Sequence, residues 1–178
     1  MSPTADKLAR TYIAETQHWL DNNVGKIKHC LKQLSDEQVW WRPQESMNSI
    51  ANLVLHLCGN VTQRVLATVG GEQDNRDRPS EFTERGPIPK AELIRRLDGG
   101  TVMAKGVLAG LRTEQLIEPR RYQGLNREFD GTVLSTILHS LLHLGGHTQE
   151  IVFITRLQLG DAYEFQMTPS SPDKTGLG

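Results

Sequence analysis

Residues 132–159, TVLSTILHSLLHLGGHTQEIVFITRLQL, constrain the fold more than any other stretch of the chain. Leu134, Ile137, Leu138, Leu141, Leu142, Leu144, Ile151, Val152 and Phe153 put apolar side chains on almost every side of a helix. A helix without a polar face is predicted to be a buried, central one. Thr132 is its candidate N-cap. A chain holding such an element needs other helices to surround it.

Three further helical patterns supply them. The first runs from about Pro3 to Leu34, with Leu20, Val24, Ile27, Leu31 and Leu34 spaced alternately by four and three along one seam. The second follows a candidate N-cap at Ser49 and ends at Gly70-Gly71. The third runs from Pro89, expected in its first turn, to Leu111. Gly99, Gly100, Gly106 and Gly110 weaken that helix by about 1 kcal/mol each relative to Ala, so close helix–helix approach is the expected compensation. Between the second and third helices lies a long polar crossover, 70–87. Residues 118–131 leave room for an extended segment. LSDEQV after the first helix and LRTEQL after the third echo each other faintly, as two helix-capping turns would. The expected fold is all-α, a four-helix bundle with one long crossover connection, as a single domain over 1–160 with an irregular tail over 161–178.

Composition narrows the partners. Twenty Lys and Arg against 21 Asp and Glu leave a net charge of −1, which argues against nucleic-acid or anionic-membrane binding. Two cysteines, Cys30 and Cys58, make no disulfide framework. The polar start MSPTADKLARTYIAETQHW and the lack of an apolar run of roughly 18 residues point to a soluble, cytoplasmic protein.

Polar residues interrupt the last helix in one place, HSLLHLGGHTQE. At roughly 100° per residue, His147 falls about 40° to one side of His143, His139 about 40° to the other, and Glu150 within about 20°. Side chains four apart on a helix are neighbours, about 5–6 Å between Cβ atoms. That spacing suits two imidazoles converging on one cation with metal–nitrogen bonds of about 2.0–2.1 Å. A single buried histidine is usually a hydrogen-bonded core residue, but four titratable groups on one buried stripe are costly unless paired or ligating. In the second helix His56 lies at the margin of the stripe Ile50, Leu53, Val54, Leu57, Val61 and Val65, a position that lines a groove between helices. Three histidines with an open fourth position are the pattern of catalytic rather than structural zinc sites.

NSIANLVLHLCGN followed by HSLLHLGGHTQEIVFITRLQLG resembles the DinB/YfiT-like metalloenzyme superfamily, in its branch of DinB-like domains, and LSDEQVWWRP resembles it too. The resemblance implies a four-helix fold, His56, His143 and His147 as metal ligands, and His139 as a preceding, non-ligating histidine. It also implies one divalent ion, zinc or nickel, and a homodimer. Relatives include thiol transferases and isomerases, so a low-molecular-weight thiol is an expected cosubstrate, with hydrolysis or a non-catalytic metal-binding role as the alternatives. The family pattern His-x-Gly-Gln reads His147-Thr148-Gln149-Glu150 here. Glu150 is therefore the candidate catalytic residue, with four readings open: a base, an acceptor that fixes an imidazole, a fourth ligand, or a solvated surface carboxylate.

Other residues carry weaker signals. Trp40-Trp41 could line a pocket or a dimer contact, or plug the bundle end. Cys58 is about 200° round the helix from His56 and cannot share its ion. Arg120, Arg121 and Arg127 could attract an anion, or simply be solvated loop charges.

Overall fold

The computed structural model describes residues 2–123 and 128–166. Its frame is four long helices: α1 (Pro3–Gln33), α3 (Ile50–Val61), α5 (Lys90–Ala109) and α6 (Val133–Leu159). Short helices α2 (Asp36–Trp40) and α4 (Arg78–Thr83) lie in the connections, and an antiparallel hairpin of β1 (Pro119–Gln123) and β2 (Glu128–Thr132) leads into α6. The all-α four-helix expectation holds, and the crossover holds the unforeseen α4. Arg127 and the tail beyond 166 lie outside the described residues.

Local chemistry sets the boundaries. Ser49 accepts from the Asn52 amide while the Asn52 side chain answers at the Ser49 amide, and Thr132 and Ser135 do the same at the start of α6. Leu159 ends α6 because Gly160 takes φ 52°, a left-handed value that favours glycine. Pro89 is the N-cap of α5 rather than part of its first turn. The LSDEQV and LRTEQL turns are indeed alike: Gln38 and Gln115 each bond back to the amide three residues earlier. Beyond Val61 the helix of α3 continues with π-helical geometry over Thr62–Val69. Wider turns of this kind are uncommon and tend to occur near functional sites.

The core joins all four long helices through Ile27, Leu31, Leu53, Leu57, Leu93, Leu108, Ile137, Leu144 and Ile151, each at most 2% exposed. Burying one such side chain contributes about 1.5–3 kcal/mol. α6 packs against α1 and α3, but it is not buried all round as its composition implied. Leu142 is 67%, Phe153 65% and Leu157 54% exposed. A bundle helix covers about half its circumference, and this one keeps apolar residues on the uncovered side. The glycines of α5 also depart from expectation. A Cβ at Gly99, Gly100 or Gly106 would meet nothing within 4 Å, so they permit no close helix approach. Trp40 packs on the core and donates to the Ile88 carbonyl at 3.0 Å, plugging the bundle end. Among the described residues no helix is long and apolar enough to cross a membrane.

Candidate metal centre

Two helices and the crossover build the site. The apolar stripe of α3 docks on the core and carries His56 inward, leaving it 4% exposed. α6 faces it with His143 and His147 one turn apart, and a buried Ser140–Asn60 hydrogen bond of 3.0 Å ties the helices together nearby. His56 Nε2 lies 2.8 Å from His143 Nε2. The ring centroids are 4.9 Å apart for His56–His143, 5.2 Å for His56–His147 and 4.5 Å for His143–His147, each pair steeply inclined. One nitrogen from each residue lies within 4.8 Å of the others, and the three could hold a metal ion. Bonds of about 2.0–2.1 Å in a tetrahedral shell set two ligand nitrogens about 3.3 Å apart, within reach of small side-chain shifts.

Outer hydrogen bonds decide which nitrogens are free. His56 Nδ1 lies 2.8 Å from Glu81 Oε2. The Arg76 guanidinium grips the same carboxylate twice, Nε to Oε1 at 2.7 Å and Nη2 to Oε2 at 2.8 Å. Nη2 is also 3.1 Å from His56 Nδ1. A lone pair on Nδ1 would face a carboxylate oxygen at 2.8 Å, so Nδ1 carries the proton and donates to Glu81. The Nε2 lone pair then points at the triad. His147 Nδ1 lies 2.7 Å from Glu150 Oε2 and by the same argument keeps Nε2 free. Such carboxylate–histidine pairs fix ring orientation and raise ligand basicity at metal sites.

Burial keeps the His56 and His143 imidazoles neutral. Burial pulls the His143 pKa down to about 3, helped by His147 and His56. Burial also lowers that of His56, against the pull of Glu81. Burial alone would raise the Glu81 carboxyl, but the hydrogen bonds from Arg76 and His56 outweigh it and hold that carboxyl below the usual range. Neutral imidazole is the form that binds metals.

The sequence-predicted residues divide clearly. His56, His143 and His147 come together. His139 stays outside, its ring 6.4 Å from that of His143 and 5.9 Å from that of Tyr122. Glu150 is turned to His147 Nδ1 and is not among the grouped ligand atoms. Burial pushes the Cys58 thiol up to about 12, which makes it inert. Arg120 and Arg121 pair with Glu118 and Asp130. Glu81 and Arg76 were missed, because they lie in what reads as a solvated polar crossover. Their one sequence signal is Gly59, three residues after His56, where a missing side chain leaves space for a partner.

Three imidazoles, one buried and two half-buried, thus meet on a four-helix frame and define a helical-bundle protein with a possible metal site. The chain belongs to the family described as "Protein of unknown function (DUF1572)", matched over residues 7–171. No curated protein matches the sequence. Solved structures share the fold. A conserved protein from Enterococcus faecalis aligns with TM-score 0.67 at 15% identity, covering 83% of this chain and 96% of the other. A DinB-like protein from Bacillus subtilis gives 0.59 at 16%, covering 81% and 91%. A DinB-like protein from Bacillus cereus gives 0.59 at 12%, covering 76% and 85%.

Proposed function

We propose that this protein is a metal-dependent enzyme in which His56, His143 and His147 hold one divalent ion, zinc or nickel, and activate a thiol or water toward a small-molecule substrate. The observation that carries this reading is the convergence of three imidazoles, two of them oriented from behind by Glu81 and Glu150. Imidazole donors suit both metals. The ion supplies Lewis acidity that lowers the pKa of a thiol or water toward neutrality.

The chain's own residues do the rest. Glu81, clamped by Arg76, holds the His56 ring. Glu150 accepts from His147 Nδ1 and, with a side chain 40% exposed, can also take up the proton that the nucleophile gives away. Because Glu150 faces His147 rather than the centre of the triad, three protein ligands leave a side open, as catalytic sites require. That arrangement favours catalysis over a purely structural ion. Thiol S-transfer is the leading reaction class and hydrolysis the second. A screen of metal-loaded and chelator-treated protein against electrophiles, with and without a low-molecular-weight thiol, tests the pair. Consumption of electrophile only with thiol and metal together supports transfer; metal-dependent turnover without thiol supports hydrolysis.

A homodimer belongs to the same reading. Leu142, Phe153 and Leu157 leave an apolar stripe of α6 uncovered, and a monomeric mass at high micromolar concentration in analytical ultracentrifugation contradicts it.

A further inference from the structure

The guanidinium of Arg64 sits in the π-helical continuation of α3 and is buried without a polar partner. The residue is 5% exposed, and its Nε and Nη1 have no hydrogen-bond partner among the described residues. Nearer the triad Arg76 is paired with Glu81, while the exposed Asp74 is hydrogen-bonded to Gln63 and the Arg76 amide and acts on Arg64 only through its charge. Arg64 instead lies over the Tyr122 ring, 4.2 Å from its centroid. From there a row of rings leads to the triad, Tyr122 to His139 at 5.9 Å and His139 to His143 at 6.4 Å.

A buried, unpaired cation is among the most expensive features a fold can keep. Stacking on Tyr122 recovers a fraction of that cost, on the order of 0.5–2 kcal/mol. It leaves the in-plane N–H groups unused, and those are the groups that grip oxyanions in a planar fork. Burial also lowers the Arg64 pKa, yet a guanidinium stays charged at neutral pH.

We propose that Arg64 is the anion-binding residue of this site: its free N–H groups receive a carboxylate or phosphate group of the substrate beside the Tyr122–His139 wall, with the remainder of the molecule directed along that wall toward the three histidines. The assignment narrows the substrate class to small organic oxyanions. It rests on the metal-site reading for the destination of the reacting end, but not for the anion contact itself.

The test is calorimetric titration of the full-length protein with inorganic phosphate and, separately, with acetate, each in the zinc-loaded and the chelator-treated state. Arg64→Met and Arg64→Gln are compared with a control in the exposed face of β1, Arg121→Met. The expected result is binding of at least one anion that persists without zinc, weakens tenfold or more in both Arg64 variants and is unchanged in Arg121→Met. Because Arg64 has no polar partner to abandon, both variants are also expected to unfold no earlier than the parent in anion-free buffer. The proposal is overturned by anion affinity that survives both substitutions, by binding seen only with zinc and indifferent to Arg64, by no binding of either anion, or by failure of both variants to fold. Zinc content measured on the same samples separates the two readings: Arg64-dependent anion binding in a chain that takes no zinc keeps the anion site and removes the metal one.

Discussion

Gly59 has no side chain at the one place where Glu81 needs to be: a Cβ built there would lie 1.9 Å from Glu81 Oε1 and 2.9 Å from Arg76 Nε. The glycine, three residues after His56 on the same face of α3, is what lets the crossover carboxylate reach the imidazole. Backbone carbonyls at Glu81 and Glu84 accept from the Asn52 side chain at 2.9 and 3.0 Å, pinning α4 to the start of α3.

Gly59→Ala therefore forces the carboxylate away from His56. Loss of such a carboxylate–histidine contact typically costs 10–100-fold in metal affinity, and competition against a zinc chelator is expected to show a loss in that range. A small gain in helix propensity of up to about 1 kcal/mol is outweighed by the displaced Arg76–Glu81 pair, so urea denaturation is expected to show a destabilised metal-free protein. Unchanged chelator competition removes Glu81 from the metal centre.

Glu150→Gln keeps the shape of the side chain, and its amide oxygen still accepts from His147 Nδ1. The variant is expected to retain metal within about tenfold while losing activity, because an amide cannot take up a proton. Complete loss of metal makes Glu150 a ligand. No change in either measurement returns it to the solvated surface.

Acid should weaken the metal-free fold in a defined window. The folded-state pKa of His143, about 3, lies below the unfolded value near 6.5. The unfolded chain then binds more protons between these values, and stability falls as pH drops through that range. Glu81, also held below its ordinary value by Arg76 and His56 despite burial, pulls in the same direction at the acid end. Urea midpoints of chelator-treated protein are expected to decline from about pH 6.5 downward, and less steeply in His143→Gln. A midpoint flat to pH 4 contradicts the neutral, half-buried state of this imidazole.

The helices were legible because their signals are local. Thr132 and Ser49 cap where capping chemistry places them, and the four-residue spacing of His143 and His147 already fixes a shared face. His56 could be placed in an interhelical groove from its position on the α3 stripe. What escaped depends on contacts distant in sequence. Glu81 lies 25 residues from His56 in a stretch whose composition reads as solvated, and only the tertiary fold shows the carboxylate buried. The exposure of Leu142 and Phe153 escaped for a related reason: periodicity reports how apolar a helix is, not which neighbours cover it. The α5 glycines misled in the opposite sense, since nothing packs where their side chains are missing.

The most direct test of the central claim is the metal content of protein purified without an affinity tag, by elemental analysis of the parent, His139→Ala and the His143→Ala/His147→Ala double variant. The expected result is one zinc or nickel per chain in the parent, most of it kept in His139→Ala, and none in the double variant. A parent that takes up no divalent ion, or a double variant that keeps a full equivalent, contradicts the account.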